Sequence, residues 1–151
     1  MARQESAIAT ELQRLTLANG GLLTPAAVVT AARDLESPLH ESFEWDDSEA
    51  AERYRLWQAR QLIGVVVKYE MVGKKSVPYR VFVSLSPDRK EDGPGYRLAS
   101  SVMSDDVQRA QLLADAHEDM LRFQVKYRSL QELAKVFAAI TELATPKAKA
   151  S

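Results

Sequence analysis

The stretches Val65-Val66-Val67-Lys68-Tyr69-Glu70-Met71 and Val77-Pro78-Tyr79-Arg80-Val81-Phe82-Val83-Ser84-Leu85 flank Gly73-Lys74-Lys75-Ser76, and here the chain stops reading as helix. The runs are rich in β-branched and aromatic residues, which suit a pleated strand, and a short glycine-containing link between two such runs predicts an antiparallel hairpin. Pro78 donates no main-chain hydrogen bond, so it places the second strand at an edge or lies near that strand's first residue. The charged, glycine- and proline-rich loop Ser86–Gly95 follows, and Tyr96-Arg97-Leu98-Ala99 is expected to add a third strand. Three strands with a helix on one face form a stable unit where two alone do not. The fold class is therefore α+β.

Upstream the pattern is helical. From Ala2 to Ala18, the residues Ile8, Leu12, Leu15 and Ala18 fall three or four apart on one stripe, and Asn19-Gly20-Gly21 ends that helix. Thr24-Pro25 is a start signal, a threonine N-cap followed by proline at the first helical position, for a second short helix running to about Arg33. This spacing is compatible with a helix-turn-helix arrangement. Between them and the next helix lies Ser37-Pro38-Leu39-His40-Glu41-Ser42-Phe43-Glu44-Trp45-Asp46-Asp47, which has no regular periodicity. Asp46, Asp47 and Ser48 can each cap a third helix, expected over residues 48–62, with Glu49, Glu52, Arg53 and Arg55 on a salt-bridged exposed face.

Downstream, Ser104-Asp105-Asp106 opens the longest helical region, without proline or glycine as far as Thr145. Leu113, Ala116, Met120, Phe123, Tyr127, Leu130, Ala134 and Phe137 alternate steps of three and four, the spacing of a heptad seam. The aromatics, the small alanines and the additional apolar residues around them fit a broad apolar face better than a two-stranded zipper. A long helix, or a helical hairpin broken near Ser129, satisfies the pattern. The predicted oligomer interface is Leu113, Met120, Phe123, Tyr127, Leu130 and Phe137. The whole is read as one domain over residues 1–145, comprising a helical part (1–62), a sheet (63–100) and the C-terminal helical region (104–145), with a short basic disordered tail at 146–151.

Composition narrows the function. The chain has 151 residues, 46% hydrophobic and 27% charged, with net charge −1. That describes a folded protein whose surface is not coated for polyanions, although a local basic patch is compatible with it. Absence of cysteine excludes disulfides, thiolate metal sites and a cysteine nucleophile. No apolar run approaches the roughly 20 residues of a membrane span, so a cytoplasmic location is expected. The sequence carries no nucleophile elbow, phosphate-binding glycine loop or dinucleotide fingerprint, and an enzyme is not expected. His40 with Glu41, Glu44, Asp46 and Asp47 offers ligands for a metal-dependent site, the weakest of the readings, because the alternating spacing and turn glycine of known loop sites are missing. In the preferred reading the loop is structural: Phe43 and Trp45 anchor it, His40 makes a local hydrogen bond, and Asp46 and Asp47 cap the next helix. No metal and no cofactor are assigned. Lys68, Lys74, Lys75 and Arg80, interleaved with Tyr69 and Tyr79, are the candidate nucleic-acid contacts, because a two-stranded ribbon can enter a major groove or lie along a phosphate backbone.

The strings Leu23-Thr24-Pro25-Ala26-Ala27-Val28-Val29, Ser37-Pro38-Leu39-His40, Phe43-Glu44-Trp45-Asp46-Asp47, Tyr54-Arg55 and Gln58-Ala59-Arg60-Gln61-Leu62-Ile63 resemble a family of small proteins encoded by tailed bacteriophages and prophages. The segment Lys126–Phe137 is similar to the end of the same family, so the resemblance covers most of the chain. It implies a setting inside a bacterial host and brings no catalytic residues. The expected function is a non-enzymatic accessory protein, self-associated, acting on DNA or other nucleic acid or its handling machinery. The alternative is an interaction module whose C-terminal helical face docks another phage or host protein.

Overall fold

The structure, a computed structural model, describes residues 2–45, 48–91 and 93–144. Asp46 and Asp47, and the tail 146–151, lie outside the described residues. The fold is α+β, and the chain divides into two compact units, residues 1–105 and 106–151.

The first unit begins with α1 (Ala2–Ala18) and α2 (Pro25–Ala32). The Thr24 side chain accepts a hydrogen bond from the Ala27 amide, satisfying one of the donors that a helix start leaves open. A single 3-10 turn, His40–Ser42, interrupts the loop to α3 (Glu49–Val65), where Ser48 caps through the Ala51 amide. The expected end of α3 at Leu62 is short by one turn: the helix runs through Gly64, which has open space around it, because Ile63 and Val66 must both reach the core. Leu12 of α1, Val28, Val29 and Ala32 of α2, and Ala59 and Ile63 of α3 are buried together with Leu23, Leu39, Phe43, Val66, Val81 and Phe82. This core joins three helices to the foot of the strands.

The strands form three separate two-stranded antiparallel sheets. Strands β1 (Val67–Val72) and β2 (Lys75–Arg80) make the expected hairpin. Strands β3 (Phe82–Val83) and β6 (Arg97–Leu98) pair with each other, as do β4 (Arg89–Lys90) and β5 (Gly93–Pro94). The segment Tyr96–Ala99 therefore does not join the hairpin as a third strand. Leu98 pairs with Phe82, and Tyr96 exchanges both main-chain hydrogen bonds with Leu23, at 2.6 and 2.7 Å. The cause is the turn of the chain at Val81, which ends the hairpin and sends Phe82 into the core, so the run Val77–Leu85 is two strands instead of one. Every residue of β1 and β2 is exposed, so no described helix of this unit covers the hairpin. The loop before β6 is held by Arg97, whose guanidinium donates to both oxygens of Asp88 at 2.6 and 2.8 Å. Helix α4 (Ala99–Ser104) closes the unit and buries Val102.

The second unit is a helical hairpin, α5 (Asp106–Lys126) and α6 (Ala134–Ala144), joined through a 3-10 turn at Gln131–Leu133. Leu130 is extended, so the heptad seam is not continuous. No proline or glycine causes the break. Folding back brings Phe137 edge-on to Phe123 at 6.1 Å, and Gln124 donates to Thr141 at 3.3 Å, contacts a straight helix cannot make. Tertiary contact overrides local helix propensity here.

Candidate nucleic-acid interface

The β1–β2 hairpin stands on its foot. Val66 and Val81, both buried, form a main-chain pair in which the Val81 amide donates to the Val66 carbonyl at 3.2 Å. At the other end Gly73 has φ 64° while Lys74 does not have positive φ, the sign pattern of a type II′ turn, which needs glycine at its first central position. The ribbon between them is roughly 20 Å long at about 3.3 Å per residue.

The register decides which side chains share a face. Directly opposed residues in an antiparallel pair lie on the same side. Lys68 opposes Tyr79, Glu70 opposes Val77 and Val72 opposes Lys75 on one face. Val67 opposes Arg80, Tyr69 opposes Pro78 and Met71 opposes Ser76 on the other. The four expected contacts are therefore not a single patch: Lys68 and Lys75 share a face, Arg80 lies on the opposite one, and Lys74 sits at the tip. Each face still presents one exposed tyrosine near a cation, Tyr79 across from Lys68 and Tyr69 diagonal to Arg80. The hairpin from Val67 to Arg80 holds four basic residues and one acidic, a net charge of +3 on a chain of net −1. Positive charge is thus concentrated on a ribbon whose strand residues are all exposed.

The loop His40–Trp45 has a different character. His40 Nδ1 lies 2.8 Å from the Ala32 carbonyl, which can only accept, so Nδ1 carries the proton. The His40 ring stacks on Trp45 at 5.1 Å and 11°, and the indole N–H donates to the His40 carbonyl at 3.0 Å. Phe43, itself buried, packs against the same indole at 5.7 Å. The guanidinium groups of Arg33 and Arg55 approach the Trp45 ring, centred 5.6 and 5.4 Å from it. Arg55 is buried, not on an exposed face as its spacing had suggested; it donates to the Glu52 carboxylate at 2.8 Å and to the Glu44 carbonyl at 3.0 Å. Arg33 reaches the same Glu52 oxygen at 3.1 Å. The loop thereby ties the end of α2 to the first turns of α3. Among the described residues no group of three or more His, Cys, Asp or Glu side chains could hold a metal ion, and Asp46 and Asp47 fall outside them.

The residues expected at an oligomer interface are divided by the break in the helical region. Leu113, Phe123, Tyr127 and Leu130 remain exposed, while Met120 and Phe137 are half-buried. Phe123 meets Phe137 across the two helices, and Tyr127 packs on Phe123 from the end of α5, which assigns the Phe123–Phe137 pair to holding α5 and α6 together. One exposed feature escaped sequence reading: Tyr54 and Trp57 on α3 stack at 5.6 Å and 14° with half their surface open. Their spacing of three was the available signal.

A concavity of about 380 Å³ lies elsewhere, lined by Glu11, Arg14, Thr30, Asp34, Ser37 and Pro38 among others. Two of its charges are engaged with each other: Arg14 donates to Glu11 at 2.6 and 2.8 Å, and that hydrogen bond holds the Glu11 carboxyl below its ordinary range against a smaller opposing effect of burial. Among the described residues no helix is long and apolar enough to cross a membrane. No protein-family model, no curated protein and no solved structure matches the chain.

Proposed function

We propose that the protein is a non-enzymatic phage or prophage accessory protein that contacts nucleic acid through the β1–β2 hairpin and acts as an oligomer. The observation that carries this reading is the concentration of Lys68, Lys74, Lys75 and Arg80 on a ribbon whose strand residues are all exposed, in a chain that is otherwise slightly acidic. Phosphate contact from both faces and the tip suits a ribbon lying along a backbone, where shape and charge dominate over base readout. Tyr69 and Tyr79, beside those cations, are placed to pack on sugars or bases. The bacteriophage resemblance supplies the setting.

A salt titration of binding to a mixed-sequence duplex tests it. Three to four phosphate contacts predict a slope of log K against log salt of about −3 to −4, and the double substitution Lys74→Ala/Lys75→Ala should reduce its magnitude by about 2. Binding that is absent at micromolar protein and low salt, or that ignores salt, refutes the reading.

A second reading, a protein-interaction module, is favoured by the exposed apolar residues of α5 and its turn. Leu113 is 57% and Leu130 45% exposed. Leu113→Asp and Leu130→Asp should then lower the mass found by light scattering or abolish capture of a partner. A protein that is monomeric with and without both changes removes this surface from consideration as a self-association site.

A further inference from the structure

We infer that the outer edge of β1 pairs antiparallel with the same edge of a second copy of the chain, on a two-fold axis through Tyr69, so that two hairpins become one four-stranded sheet. The argument starts from hydrogen-bond parity. Val66 and Val81 form a hydrogen-bonded pair, and such pairs alternate with unbonded ones along an antiparallel ladder. The pairs 68/79, 70/77 and 72/75 are therefore bonded within the hairpin. In the pairs 67/80, 69/78 and 71/76 the main-chain groups point outward. On β1 these are the N–H and C=O groups of Val67, Tyr69 and Met71, none of which bonds to another described residue on that side. On β2 the matching position in the middle is Pro78, which has no N–H to offer. The outer edge of β2 is thus blunted and that of β1 is open.

The sequence of β1 then selects the register. Pairing about Tyr69 sets Tyr69 against its own copy and Val67 against Met71 of the second copy, and only these outward-pointing residues exchange main-chain bonds. It also sets Lys68 against Glu70 of the second copy, twice by symmetry, in the unbonded pairs where side chains come closest. An axis through Glu70 or Lys68 opposes like charges at the join, and it leaves Val67 against Gly73 of the turn or Met71 against Val65 of α3. An axis through Met71 leaves Tyr69 against Gly73 of the turn, and an axis through Val67 drives β1 into the end of α3. Only the Tyr69 axis opposes Lys68 to Glu70 and pairs Val67, Tyr69 and Met71 entirely within the strand. The exposed Val67, Tyr69 and Met71, at 41%, 69% and 64%, become one stripe shared by both copies. In this form Lys68 serves the join, and Lys74, Lys75 and Arg80 are the cations left for other contacts.

The chain has no cysteine, so a single introduced one reports on the edge directly. At the axis, opposed Cα atoms of a bonded pair are about 5.5 Å apart, within disulfide reach. Without nucleic acid and under mild oxidation, Tyr69→Cys should give a covalent dimer, and Ser76→Cys on the blunted edge of β2 should not cross-link. In the Tyr69→Cys background, Lys68→Glu or Glu70→Lys should each slow cross-linking about tenfold, because two attractive pairs become two repulsive ones, and the double exchange Lys68→Glu/Glu70→Lys should restore the original rate. Equal cross-linking of the two cysteine variants, or a double exchange no faster than the single changes, overturns the inference.

Discussion

Replacing Trp45 with alanine should be among the most damaging single changes in the first unit. The indole is half-buried and touches His40, Phe43, Arg33 and Arg55, so truncation returns roughly 100–150 Å² of apolar surface to water, about 3 kcal/mol. It also removes the N–H donor to the His40 carbonyl, about 1 kcal/mol, and two guanidinium contacts at about 0.5–1 kcal/mol each. Allowing for apolar surface already hidden in the unfolded chain, the net loss is about 4 kcal/mol. In a unit of this size each kcal/mol moves the melting midpoint by about 4–8 °C, so the expected fall is about 15–30 °C. Trp45→Phe keeps a ring against His40 and loses the donor, and should fall by about 5–10 °C. Thermal and urea melts followed by circular dichroism read both. A Trp45→Ala midpoint within about 5 °C of the parent, or identical shifts for the two variants, would refute the assignment of this loop as the clasp between α2 and α3.

Two further changes probe other parts of the same unit. Gly93 has φ 119°, and a Cβ there would meet Arg60 Nη2 at 2.8 Å, so Gly93→Ala should destabilise by about 1–3 kcal/mol in a urea melt; an unchanged midpoint contradicts it. The Glu11 carboxyl, lowered chiefly by its hydrogen bond from Arg14, contributes stability that is present above its ordinary value of 4.5 and lost as pH falls through the lower folded value. Glu11→Gln should therefore differ from the parent at neutral pH and converge with it in acid, and a difference that persists in acid contradicts that account.

Much of the architecture was legible because it rests on local chemistry. Thr24 and Ser48 announce helix starts through side-chain oxygens, and Gly73 announces a turn through its permitted positive φ. What could not be read depended on partners distant in sequence. The third strand was misplaced because Tyr96 and Leu98 look like strand residues whatever they pair with, and only the core decides for Leu23 and Phe82. The helical hairpin broken near Ser129 is one of two readings the sequence permits, and what chooses it over a straight helix is the meeting of Phe123 with Phe137, which local sequence does not announce. Arg55 reads as a surface residue, yet Glu52, the Glu44 carbonyl and the Trp45 face together make burial of its charge tolerable. In the candidate interface, the cations were visible as a set, but their division between two faces follows from register, which turn geometry fixes and composition does not.

The bridge between Leu23 and Tyr96 also governs when the first unit can form during synthesis. Its partners are more than seventy residues apart, and Leu23 is fully buried in the folded unit. At about 5–20 residues per second, a ribosome needs roughly 4–15 s to travel from one to the other. Through that interval α1 and α2 are made without the strand that closes over them. The hairpin, whose strands are joined by a two-residue turn, is complete in sequence at Arg80, before Tyr96 is made. The nascent chain would therefore expose its cationic ribbon before it completes its core, and that order of events leaves the apolar faces of α1 and α2 as the segment most in need of protection on the ribosome.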